Sequence, residues 1–178
     1  MTLATLTTDG ACVNNPGPGG WSYIARHDTA VIELSGCVPD TTNNRMELMA
    51  AIEGLKALDA FDVSCEVLLI SDSQYLIKGL NLWRIKWALQ GWMRGKPGNK
   101  VPIPNTDLWQ QLDELARKHT IVCKWVRGHT GNIDNERCDR LAEDAAEALA
   151  DEFGTVRRRP RRASGMELHA KTADCRTD

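Results

Sequence analysis

Four acids stand where an ordinary surface salt bridge does not explain them: Asp9, Glu47, Asp72 and Asp139. Asp9, between Thr8 and Gly10, lies inside a run that reads as a strand, where Asp is depleted. Asp72 follows the apolar run Leu68-Leu69-Ile70. It therefore sits at the carboxyl end of a buried strand, where open α/β sheets place ligands. Glu47 falls in the first turns of a helix, and Asp139 near the start of the last helix, after a glycine-containing loop. Taken singly, Glu47 and Asp139 are ordinary acids near helix N-termini. Brought together, four carboxylates need a counter-charge. Oxygen ligands without a His/Cys cluster select a hard cation, Mg²⁺ or Mn²⁺. Two such ions ~3.5–4 Å apart clamp the attacking and leaving oxygens of an in-line phosphoryl displacement.

The elements that must position these acids follow from periodicity. Leu3–Cys12, Trp21–Arg26 and Thr29–Cys37 read as three antiparallel strands, with a dense turn signal over Asn14–Gly20 and a hairpin connection at His27-Asp28. From Asn43 the spacing of Leu48, Ile52 and Leu55 becomes helical, with Thr42 or Asn43 as N-cap. Cys65–Ile70 is a short buried strand and Ser73–Leu80 a short helix. A further helix opens at Asn105 or Thr106, with Leu108, Leu112 and Leu115 on one face. Ile121–Val126 is the last strand, and Asn135–Asp151 an alanine-rich amphipathic helix. Helices joining strand to strand require parallel pairing after the antiparallel start. The expected fold is α/β: a five-stranded mixed sheet flanked by helices.

The chain has 178 residues, of which 42% are hydrophobic and 26% charged, with a net charge of −2. That composition is of a globular domain, neither fibrous nor wholly disordered. No run approaches the ~20 apolar residues of a membrane span. The N-terminus shows neither the basic nor the apolar region of a signal peptide. Residues 1–154 are expected to form one domain, and 155–178 a basic, flexible tail. The tail carries a net +4 against −6 for the rest. An acidic body must meet a polyanion through bound cations or a local basic patch. The six cysteines show no C-x-x-C and no zinc spacing, and read as reduced, packed thiols of a cytoplasmic protein.

T-D-G-A-C-V-N-N-P-G-P-G-G at 8–20, T-T-N-N-R-M-E-L-M-A-A at 41–51, S-D-S-Q-Y at 71–75 and G-H-T-G-N-I-D-N-E-R-C-D-R-L-A at 128–142 resemble type 1 ribonuclease H, the bacterial ribonuclease HI family. The likeness runs from about residue 4 to about 151, with all four motifs in order. It implies a ribonuclease H-like fold and an endonuclease that cuts the RNA strand of RNA–DNA hybrids, leaving 5′-phosphate and 3′-hydroxyl ends. It implies two Mg²⁺ ions during catalysis, with Mn²⁺ as a substitute, held by Asp9, Glu47, Asp72 and Asp139. His129 matches the family's mobile histidine, suited to proton transfer or product release. Two other readings stay open: a non-catalytic hybrid-binding module, and another two-metal nuclease of the same fold.

RNA is told from DNA by its 2′-hydroxyl. By resemblance, Cys12, Asn15, Asn43 and Gln74 face the minor groove, and Thr42 falls where the family grips a DNA phosphate. Trp83 to Val101 resembles the family's basic protrusion, or handle. Its Trp83, Lys86, Trp87 and Trp92 combine aromatic planes with cations, which suits a DNA strand. The sequence departs from the family straight after Trp87, where Ala88-Leu89-Gln90 replaces a basic cluster. The five arginines of 157–162 have no family counterpart, and are expected to add non-specific, salt-sensitive nucleic-acid contacts. The expected state is a monomer away from membranes.

Overall fold

A computed structural model of the chain describes residues 3–59 and 66–154 and the backbone of 171–172. Three antiparallel strands open it: β1 (Leu3–Cys12), β2 (Gly17–His27) and β3 (Ala30–Thr41). Helix α1 (Asn43–Asp59) leads to β4 (Glu66–Ser71). Next come α2 (Gln74–Lys78), a π-helical turn (Gly79–Trp83), α3 (Arg84–Leu89) and a small pair, β5 (Met93–Arg94) and β6 (Val101–Pro102). Helix α4 (Thr106–Ala116), β7 (Thr120–Trp125) and α5 (Ile133–Glu152) complete the body, and β8 (Lys171–Thr172) adds a short edge.

The main sheet runs β7-β4-β1-β2-β3-β8, with β4 parallel to both β1 and β7. The five longer strands are those expected. The two-residue β8, beside Leu34 and Ser35 of β3, was not foreseen, since two residues leave no period to read. The rest of the tail expected over 155–178 lies outside the described residues. Gly17–Gly20, read as part of a turn, belongs to β2; Gly19 and Gly20 already pair with Val38 and Cys37. Their lack of side chains lets neighbouring elements approach, which composition alone cannot separate from a bend.

Alternation along β1 separates two cores. Ala4 and Leu6 face α1 and join a cluster with Met46, Ile52, Leu55, Leu69 and Trp109. Thr7 and Asp9 face the other way, toward α5, where the Cys138 thiol lies against the Thr7 carbonyl and the Ser22 hydroxyl donates to the Cys138 carbonyl at 2.7 Å. Helices α1 and α4 therefore cover one face, and α5 the β1-β2-β3 part of the other. At Gly20 a Cβ would run into the α5 backbone at Ala142, so glycine sets how closely that helix packs. Cys12, Cys123 and Cys138 are free thiols. Cys37 is disulfide-bonded, which corrects the all-reduced expectation. Cysteine count and spacing alone do not give a pairing.

Candidate active site

Strand register brings the first two acids together. Thr7 of β1 lies beside Ile70 of the parallel β4. Two residues further on, Asp9 and Asp72 leave adjacent strands at the same end. Glu47 arrives from α1, whose start is fixed twice: the Thr42 carbonyl accepts from Met46 N at 3.1 Å, and the Asn15 side-chain oxygen accepts from Asn43 N at 3.1 Å. Helix and strand touch because residue 10 is glycine; a Cβ there would collide with the Glu47 amide. One oxygen from each of Asp9, Glu47 and Asp72 lies within 4.8 Å of the others.

Asp139 of α5 stands outside that tight triple, yet its charge acts on all three members. Burial and the Asp72 charge push the Asp9 carboxyl up to about 8, against a 2.7 Å hydrogen bond from Gly10 N that favours its ionised form. Burial, then Asp9, raises Glu47 well above the usual range. Asp72, half-buried, is raised by burial and then by Asp139. Asp9 Oδ2 and Glu47 Oε2 are buried and accept no hydrogen bond among the described residues. Orphaned carboxylate oxygens that repel one another are costly without a cation. The donor set is all oxygen, so these residues fit a hard divalent ion.

The neighbours of the triple are held by backbone contacts. The Trp125 indole donates to the Asp72 carbonyl at 2.9 Å. Ser71 Oγ accepts from Ser73 N, and Ser73 Oγ caps α2 by accepting from Leu76 N. On the far side, His129 sits at φ 55°, with Nδ1 3.4 Å from Asp139 Oδ2 and its side chain 76% exposed. Its loop is tied down by Gly131 N donating to Glu136 at 2.7 Å, and by Asn132 capping α5. A Cβ on Gly128 would lie 2.5 Å from Asp72 Oδ2. Gly128 thus shapes the site, although in sequence it reads only as part of a motif. Trp125 and Glu143 were also missed. Glu143 lies one turn past Asp139, and its charge reaches Asp9. The i, i+4 spacing from Asp139 was the available signal.

The other expected contacts divide into two groups. Cys12, Asn15, Thr42 and Asn43 gather where β1 ends and α1 begins, with Cys12 Sγ 3.4 Å from the Thr41 carbonyl. Gln74 opens α2, exposed, and its side-chain oxygen accepts from Lys78 at 2.8 Å. Trp83, Lys86 and Trp87 line a cleft of about 660 Å³ between the handle and the body. Trp87 has a structural role as well, its ring 5.4 Å from both Trp83 and Trp109. Trp92 does not line the cleft; it packs against the core, and its carbonyl accepts from Ile103 N. The handle is pinned by Arg84, which donates to the buried Asp113 of α4 at 2.5 Å.

A family model described as RNase H matches residues 2–147. Ribonuclease H of Pseudomonas putida strain W619 is 53% identical over 137 residues, covering 77% of this chain and 88% of the relative. Ribonuclease H of Maricaulis maris strain MCS10 is 52% identical over 149 residues, 83% and 97% of the two chains. Among solved structures, LC9-RNase H1, described as a type 1 RNase H with the type 2 active-site motif, superposes with a TM-score of 0.72 at 30% identity, over 84% of this chain and 74% of that one. LC11-RNase H1 in complex with an RNA/DNA hybrid shares the fold, with a TM-score of 0.61 at 22% identity over 82% and 97% of the chains. With a family model over residues 2–147 and relatives alike over most of their length, this chain belongs to the RNase H family.

Proposed function

We propose that the protein is an endonuclease that hydrolyses the RNA strand of RNA–DNA hybrids, leaving 5′-phosphate and 3′-hydroxyl ends. The observation that carries the reading is the meeting of Asp9, Glu47 and Asp72, with two buried oxygens that have no hydrogen-bond partner among the described residues. These three and Asp139 would hold Mg²⁺, with Mn²⁺ able to replace it. Two bound ions supply a nucleophilic water at neutral pH and offset charge on the attacking and leaving oxygens.

The chain's own residues do the rest. Desolvation at Asp9 and Glu47 keeps competing water from their oxygens, and the Gly10 amide fixes one Asp9 oxygen in place. His129, exposed on its loop, accepts or releases a proton at an imidazole nitrogen, with Asp139 orienting the ring from 3.4 Å. Cys12, Asn15, Asn43 and Gln74 read the minor groove, where the 2′-hydroxyl marks the RNA strand. Thr42 meets a phosphate of the DNA strand, and Trp83, Lys86 and Trp87, with Trp92 behind them, take the DNA at the handle. The arginines of 157–162 add salt-sensitive contacts. No helix among the described residues is long and apolar enough to cross a membrane, and the reading is of a cytoplasmic monomer.

The test is cleavage of a strand-labelled RNA–DNA hybrid with Mg²⁺, with EDTA, and with Asp72→Asn, against DNA and RNA duplexes. RNA of the hybrid alone should be cut, and both EDTA and the variant should abolish cutting. Binding without turnover in Mg²⁺ or Mn²⁺ would make the protein a binding module. Equal cutting of duplex DNA would overturn the substrate assignment.

A further inference from the structure

The handle helix carries three faces, and the proposed chemistry uses two. One holds the handle to the body, through Arg84 and the buried Asp113. The second turns Trp83, Lys86, Trp87 and Gln90 into the cleft. The third presents Leu82, Ile85 and Leu89, which are 68%, 64% and 85% exposed. Their spacing of three and four residues places them on one stripe. Helical geometry turns that stripe roughly a third of a circle away from the cleft. Single exposed leucines are ordinary, but a row of large aliphatics on one exposed helix face marks an interaction surface. The stripe includes Leu89, within the Ala88-Leu89-Gln90 run that stands in place of a basic cluster.

Charge restricts what can cover it. From Gly79 to Val101 the chain holds no Asp or Glu, and beside Arg84, which Asp113 already pairs, it holds Lys86, Arg94, Lys96 and Lys100. Lys78, exposed, precedes Leu82 by four residues, and Lys86 lies between the stripe and the cleft on the helical circuit. A second copy docked stripe to stripe would set two such basic segments against each other. The chain's own tail, net +4, meets the same repulsion. An occupant must supply both apolar anchors and negative charge.

We propose that Leu82, Ile85 and Leu89 form a docking surface for an acidic amphipathic segment of another protein, with apolar side chains at helical spacing and Asp or Glu around them. The stripe faces away from Trp83 and Trp87, so a docked partner leaves the cleft open. The partner tethers the enzyme while a hybrid is bound. Apolar contact holds the segment, and the basic handle speeds its arrival.

The probe is a fluorescein-labelled synthetic helix with leucines at i, i+3 and i+7 among glutamates, titrated with the full-length protein and read by anisotropy. A peptide of the same composition in scrambled order and one with lysine for every glutamate are the comparisons. Binding should saturate, and amide shifts should map to residues 78–90. Affinity should fall about tenfold or more in Ile85→Ser/Leu89→Ser, in Leu82→Gln, and for the scrambled peptide. The lysine peptide should not bind. Hybrid cleavage at wild-type rate shows that the variants are folded. Equal affinity in wild type and variants, or equal affinity for ordered and scrambled peptides, would overturn the proposal, since charge alone would then be responsible. So would a dimer in sedimentation that the substitutions abolish, which would assign the stripe to a second copy.

Discussion

Replacing Asp9 by Asn should abolish cleavage yet make the metal-free protein more stable. Asp9 is 5% exposed and its carboxyl is pushed from 3.8 to about 8, first by burial and then by Asp72. A carboxyl raised in the folded state binds a proton there that the unfolded chain has lost. Stability therefore falls as pH rises from about 4, and the loss is complete above about 8. At 1.36 kcal/mol per pH unit, the proton that folded Asp9 must take up at pH 7, and that the unfolded chain has released, costs up to about 4 kcal/mol. Asparagine keeps the shape and removes the charge. In EDTA at pH 7, urea unfolding should show Asp9→Asn about 2–4 kcal/mol more stable, at an unchanged dependence on urea. The gap should close below pH 4, where the Asp9 carboxyl is protonated in the folded and the unfolded chain alike. It should also narrow in Mg²⁺, because a cation that binds only the folded wild type stabilises it. If the variant is equal or less stable at pH 7 in EDTA, or if the gap does not depend on pH, the electrostatic reading of the site fails.

The remaining predictions concern geometry, proton transfer and the handle. Gly128→Ala puts a methyl group against Asp72 Oδ2, so kcat should drop about 10²-fold while the melting temperature stays near wild type. His129→Ala should lower kcat about 10²-fold with hybrid affinity unchanged in EDTA, because the imidazole is 76% exposed and packs little. Lys86→Ala should raise KM at constant kcat and reduce the slope of log affinity against log salt by about one; an unchanged salt slope would remove Lys86 from the nucleic-acid contacts.

The order of strands and helices was legible because each main element carries its own period. Leu48, Ile52 and Leu55 mark α1, and Val67 to Ile70 mark β4, in line with local hydrophobic patterning. Asp9 and Asp72 stood out in the sequence too, because Asp9 breaks strand composition and Asp72 ends an apolar run, whereas Glu47 and Asp139 stood out only through the motifs that hold them. Other features depend on residues far apart in sequence. That Asp9, Glu47 and Asp72 form the tight triple while Asp139 stands just outside it follows from strand register and from the α1 approach allowed by Gly10. Trp92 looked like Trp83 and Trp87 by type, yet the fold turns it toward the core, because its backbone is held by Trp87 and Ile103. The Trp125 clamp on Asp72 and the Gly128 approach span more than fifty residues. Residue type and local period determined which groups were available for chemistry. Only packing decided the distances between them, because a carboxylate's pKa and its grip on a cation depend on neighbours that the chain order does not place side by side.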